Sequence, residues 1–212
     1  MTGTLIGFDW DNTLFPTKAR QLILSRAGQS KFPTKSELKE LCALSHWVHR
    51  VLSAYISYYS AQRICIVTAA KRGWIEASLR SLSGVGVWAQ IREMLFNKDA
   101  TQRIEIVYPR SALLPFVAKK EVLRYKREAM HSLCRSRMGI GSCERIRMLV
   151  SIGDSSAEYS ASKLCAESFE GMCVGRVKLQ RYPTLRCLIR QCQCMLDLCA
   201  NLQPENFDID MS

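Results

Sequence analysis

The sequence has no apolar run approaching the roughly 18 residues that a membrane-crossing helix needs, so no such helix is expected. No amino-terminal leader is expected either. Met-Thr-Gly-Thr-Leu-Ile-Gly-Phe-Asp enters a strand-like segment at once, without the charged and apolar stretches of a secretory signal. Threonine at position 2 excludes N-myristoylation. A chain without these addresses is expected in the cytoplasm. Internal repeats, low-complexity tracts and a linker between two large domains are missing too, so the 212 residues read as one domain over 1–202.

The zinc-type Cys-x₂-Cys knuckle is absent, although there are ten cysteines. They are scattered, and without a leader they read as reduced thiols. In the cluster Cys187, Cys192, Cys194 and Cys199, helical spacing with Leu185, Leu188, Ile189 and Leu196 puts Cys192 and Cys199 on an apolar face. Histidine is scarce. His46 and His49 stand one helical turn apart without a third ligand, and read as helix residues rather than a metal pair. Acidic residues are outnumbered, 19 against 30 basic, for a net charge of +11 that favours anionic partners. From Lys119 to Arg147 nine basic residues face three acidic ones, and Lys120, Arg124, Arg127, His131 and Arg135 form a stripe at helical spacing. Nucleic acid would suit this charge, but no RNA-binding aromatic signature or basic-zipper heptad accompanies it. The oligomeric state is not legible.

Short apolar runs alternate with amphipathic stretches. Thr4–Phe8, Arg63–Val67, Ile104–Tyr108 and Arg147–Ile152 read as buried strands, with a weaker one at Met172–Val174. Thr34 and Glu37 form a capping box, opening a helix whose apolar positions run from Leu38 to Tyr59. Further helices are expected over Gly73–Leu82, Trp88–Phe96, from about Phe116 or Lys119 to Arg137, from Ser156, and over Pro183–Asn201, with a loop at Met138–Cys143 and a flexible acidic tail over 203–212. The alternation implies an α/β, Rossmann-like, mainly parallel sheet with helices on both faces, and a small helical insert or cap within 16–62 after the first strand. Such sheets bind ligands beyond the carboxyl ends of their strands. Three of the expected strands end there in Asp9, Thr68 and Asp154. On the helix after the third strand, Val122, Leu123, Ala129, Met130 and Leu133 mark the inner face, and Lys126 falls among them. A buried lysine needs a buried anion. Trp10 is expected in the core, and Trp74 at the pocket mouth or packed on the sheet.

Phe8-Asp-Trp-Asp-Asn-Thr-Leu14 resembles the first signature of the haloacid-dehalogenase superfamily, and Ile64-Cys-Ile-Val-Thr68 and Val150-Ser-Ile-Gly-Asp-Ser-Ser-Ala-Glu158 resemble two others, in the family's order. The Thr-Leu-Phe-Pro16 opening is similar to that of small magnesium-dependent phosphatases with minimal caps. The resemblance covers most of the chain. It implies a phosphohydrolase in which Asp9 attacks phosphorus and Asp11 acts as acid and then base, an arrangement foreign to true dehalogenases. It further implies that Thr13, Thr68 and Lys126 meet the phosphoryl group, with Lys119 and Lys120 as reserve choices for the lysine. Mg²⁺ would be held by Asp9, the backbone carbonyl of Asp11, Asp154 and, directly or through water, Glu158. Glu158 stands where many relatives carry Asp, and Ala69 replaces a frequently polar residue. The substrate would be a phosphorylated small molecule or a phosphoprotein. The other readings are a non-catalytic binding or scaffold protein of this fold, and a phosphotransferase.

Overall fold

The computed structural model describes residues 3–26, 33–99, 103–108, 119–139, 146–202 and 207–211. Six strands form one parallel sheet: β1 (Thr4–Phe8), β2 (Ile64–Val67), β3 (Glu105–Val107), β4 (Met148–Gly153), β5 (Cys173–Leu179) and β6 (Phe207–Met211), in the order β3-β2-β1-β4-β5-β6. The expected α/β Rossmann-like architecture is therefore present. The central strands β1, β2 and β4 are buried at every residue. That is why they read as continuous apolar runs rather than as alternating ones.

Among the described residues seven α-helices flank the sheet: α1 (Thr17–Arg26), α2 (Lys35–Tyr59), α3 (Trp74–Arg80), α4 (Trp88–Phe96), α5 (Lys119–Gly139), α6 (Ser156–Ala166) and α7 (Leu185–Cys199). Alternate strand residues divide the core in two. Ile6, Phe8, Ile66, Val150 and Ile152 pack with residues of α2, α3, α4 and α7. Leu5, Cys65, Val67 and Leu149 pack with Met130, Leu133 and Cys134 of α5 and Ala161 and Cys165 of α6. The result is a sheet between two helical layers.

Two expectations change. The segment read as a cap contains α2, whose Leu41, Leu44, Val48, Val51, Leu52 and Tyr55 lie in the main core. Tyr55 and Tyr59 donate their hydroxyls to the carbonyls of Met195 and Cys199 at 3.1 and 2.8 Å, which fixes α2 to α7. α2 is thus a structural layer of the domain. The capping box of Thr34 and Glu37 is made in both directions, as the spacing predicts. The acidic tail read as flexible instead supplies β6. Phe207, Ile209 and Met211 are half-buried, while Asp208 and Asp210 pair with Arg176 and Lys178 of β5 at 3.1 and 2.6 Å. Gly175 of β5 makes room for the Phe207 ring, which a Cβ would meet at 2.3 Å. Residues 203–206 and 212 lie outside the described ones.

Candidate functional site

The strand order places the reversal of the sheet between β1 and β4, and open parallel sheets offer their crevice at that point, beyond the carboxyl ends. Register decides what stands there. Phe8 is level with Ile66 on one side and Ile152 on the other. Asp9, one residue on, extends the ladder by donating its amide to the Ile152 carbonyl at 2.8 Å. Thr68 and Asp154 follow at the ends of β2 and β4. The three residues singled out from sequence therefore share one edge.

Trp10 anchors the turn that follows Asp9. Its indole donates to Ser78 Oγ at 3.1 Å and stacks on Phe15 at 5.5 Å, both rings being fully buried. The Trp10 carbonyl accepts the amides of Leu14 and Phe15, closing the turn with Asn12 in the left-handed region at φ 58°. Beyond this anchor Asp11 is half-buried, and its Oδ1 accepts from Thr17 Oγ1 at 2.5 Å and from the Trp74 indole at 3.0 Å. Trp74 thus faces the site through its polar edge. Thr13 is fully buried, and its hydroxyl has no hydrogen-bond partner among the described residues. Thr68 is buried as well, its hydroxyl accepting from the Ala70 amide at 3.1 Å.

Lys126 comes from the opposite helical layer. It is only 4% exposed, on the face of α5 that also buries Tyr125, Met130 and Leu133. Its ammonium donates to Asp9 Oδ1 at 2.8 Å and to Glu158 Oε1. The buried anion that a lysine on this face requires is therefore a pair of carboxylates. The side chains of Lys119 and Lys120, the reserve choices, lie outside the described ones.

Glu158 has two tasks. Its Oε2 accepts the Ser155 amide at 3.1 Å and the Ser155 hydroxyl at 2.5 Å, completing a capping box at the start of α6. Its other oxygen meets Lys126. Gly153 permits this approach, because a Cβ there would stand 2.9 Å from Glu158 Cγ and 3.2 Å from Asp9 Cβ. Ser155 and Gly153 were not singled out from sequence. The Ser-x-x-Glu spacing was the available signal for Ser155.

Ligand oxygens of Asp9, Asp154 and Glu158 lie within 4.8 Å of one another, the one metal-type cluster found among the described residues. Burial pushes the Asp9 carboxyl up to about 8 despite the opposing pull of Lys126. Burial, then the charge of Glu158, raises Asp154 to about 6. When all three carboxylates are ionised they face one ammonium, an excess of two negative charges that burial opposes until a cation offsets it. An all-oxygen donor set with that excess fits a hard divalent cation. Asn12 donates a side-chain hydrogen bond to Asp154 and Arg181 adds its field, both favouring the ionised form.

The basic stripe on α5 lies elsewhere. Arg124, Arg127, His131 and Arg135 line a cleft of about 650 Å³ with Tyr108, separate from the carboxylates. Cys192 and Cys199 are in the core as their spacing predicts. His46 is exposed and His49 half-buried. No helix among the described residues is long and apolar enough to cross a membrane. Scans of the chain against family models, characterised proteins and solved structures find no match.

Proposed function

We propose that the chain is a magnesium-dependent phosphohydrolase of the haloacid-dehalogenase type that cleaves phosphate monoesters through an aspartyl-phosphate on Asp9. The observation that carries this reading is the buried Asp9 carboxylate, bonded to Lys126 and grouped with Asp154 and Glu158 at the reversal point of a parallel sheet. A nucleophilic carboxylate needs a fixed position, exclusion of water and a way to approach an anionic phosphate. Asp9 is held by its backbone bond to β4 and by Lys126.

Asp9 Oδ forms the new bond to phosphorus while the bond to the leaving oxygen breaks. Lys126 balances charge on the transferring group. Asp11, steadied by Thr17 and Trp74, gives its proton to the leaving oxygen. It then takes a proton from the water that attacks phosphorus in the aspartyl-phosphate, which frees phosphate, returns Asp9 as a carboxylate and leaves Asp11 protonated for the next cycle. Thr68 contributes a hydroxyl at the end of β2. Asp9, Asp154 and Glu158 would hold Mg²⁺, whose positive charge would let the anionic nucleophile and phosphate meet. Taken up in the core, α2 is not free to act as a lid over the site. That suits a bulky substrate such as a phosphoprotein.

Phosphate release from p-nitrophenyl phosphate by purified protein, with Mg²⁺ or with EDTA, tests the activity. Borohydride trapping tests the nucleophile, because reduction of an aspartyl-phosphate converts the Asp9 side chain to that of homoserine. Asp9→Asn is expected to keep the fold and lose both signals. Hydrolysis with no homoserine trapped at position 9 would assign the attack to water. A folded protein releasing no phosphate under any metal would favour a scaffold.

A further inference from the structure

Three loops at the carboxyl edge of the sheet surround the carboxylate centre, and each carries positive charge outward. After β1, exposed Lys18 follows Asn12 and donates its amide to Asn12 Oδ1 at 2.9 Å, while Asn12 in turn bonds Asp154. After β2, exposed Lys71 and Arg72 precede Trp74, whose amide meets the Lys71 carbonyl at 3.0 Å and whose indole meets Asp11. After β5, exposed Arg181 acts on Asp154 through its field. Within residues 12–18, 68–73 and 180–184 every charged side chain is basic.

None of these four cations has a carboxylate partner among the described residues. Nearby basic residues do: Arg80 and Arg92 pair with Glu76, Arg176 with Asp208, and Lys178 with Asp210. Cations left unpaired along one edge of the sheet raise the local concentration of anions. The one exposed aromatic of this rim, Tyr182, holds its backbone at φ 58°, with Arg181 and Lys18 against its ring at 4.9 and 5.9 Å. A ring engaged by two cations is not offered as a stacking platform for bases, which single-stranded nucleic acid would use.

We infer that Lys18, Lys71, Arg72 and Arg181 form a substrate-selecting rim for phosphate monoesters that carry further negative charge beside the scissile phosphate. Such charge could come from acidic residues flanking a phosphorylated side chain, or from a second phosphate on a small molecule. The inference rests on the phosphohydrolase reading for its substrate, but binding alone can test the rim.

Fluorescent phosphoserine peptides flanked by glutamates or by glycines would be titrated into the Asp9→Asn protein at low and high salt. The acidic phosphopeptide is expected to bind at least tenfold more tightly at low salt. This preference should shrink with salt and fall towards one in a Lys18→Ala/Arg72→Ala/Arg181→Ala background that melts like its parent. Competition by a sugar bisphosphate, compared with the corresponding monophosphate, separates the two sources. Stronger displacement by the bisphosphate supports a small molecule, and equal weak displacement by both supports the polypeptide. Equal affinity for the two peptides, or a preference that survives the triple substitution, would overturn the rim. So would tighter binding of a 5′-phosphorylated oligonucleotide than of the acidic peptide. A peptide preference in a wild-type protein that hydrolyses nothing would sink the phosphohydrolase reading while leaving the rim in place.

Discussion

Replacing Lys126 by methionine keeps the length and apolar stem of the side chain and removes only its charge. The side chains involved are 4% exposed for Lys126, 8% for Asp9 and 5% for Glu158. Removing one partner from a buried ion pair typically costs about 3–5 kcal/mol, because the remaining charge stays buried and uncompensated. For a domain of this size each kcal/mol moves the melting temperature by roughly 2–4 °C, so a drop on the order of 10 °C is expected. The deficit must depend on pH. Burial already holds Asp9 at about 8, above its ordinary 3.8, and loss of Lys126 raises it further. At pH 5 the Asp9 carboxyl keeps its proton and only the pairing of Lys126 with Glu158 is lost, so the gap should be smaller there. As pH rises the native state is increasingly penalised, so the gap should open towards pH 9. Mg²⁺ should narrow it by replacing the missing charge. Thermal unfolding by circular dichroism in EDTA at pH 5 and 9, then with Mg²⁺, reads all of this. Turnover of the variant should fall by orders of magnitude, as for other loss of charge stabilisation in transition states. A variant as stable as its parent at pH 9, and fully active, would mean that Lys126 does not balance these carboxylates.

Two other outcomes follow from the same centre. In metal-free protein Asp9 at about 8 and Asp154 at about 6 both lie above the ordinary 3.8. The native state therefore binds more protons than the unfolded one, and stability should fall as pH rises from about 4 to 8. Asp9→Asn/Asp154→Asn should flatten that slope, and Mg²⁺ at a hundredfold excess over its Kd at pH 8 should stabilise the parent by about 2.7 kcal/mol, and by less at pH 5; melting curves identical with and without Mg²⁺ would count against a cation site. Gly153→Ala would force a methyl group against Glu158 Cγ and Asp9 Cβ. It is expected to cost about 1–3 kcal/mol and to raise the Mg²⁺ concentration needed for activity, whereas unchanged melting and metal demand would show that the approach at Gly153 is not tight.

Much of the candidate centre was legible because local chemistry and strand burial leave a direct trace in the chain. Fully buried strands read as unbroken apolar runs, and their ends marked Asp9, Thr68 and Asp154. Lys126 stood out because a lysine within an inner helix face has to meet an anion. The helix boundaries of α2 and α4 followed from a capping box and from apolar period. The strand β6 was missed although Phe207-Asp-Ile-Asp-Met211 alternates in strand fashion, because its acidic residues read as a solvated tail until Arg176 and Lys178 are seen opposite them.

By itself the sequence determined the alternation of strands and helices, the polar residues at strand ends, and the need of Lys126 for a buried counter-charge. Those are properties of single segments, set by side-chain period and by the cost of burying polar groups. Only the tertiary structure decided that Asp9 and Glu158 together are that counter-charge. It also decided that Trp74 and Thr17 converge on Asp11, and that α2 serves the core rather than a cap. Each of these joins residues from separate elements, and such pairings depend on strand order, register and the layer to which each helix belongs.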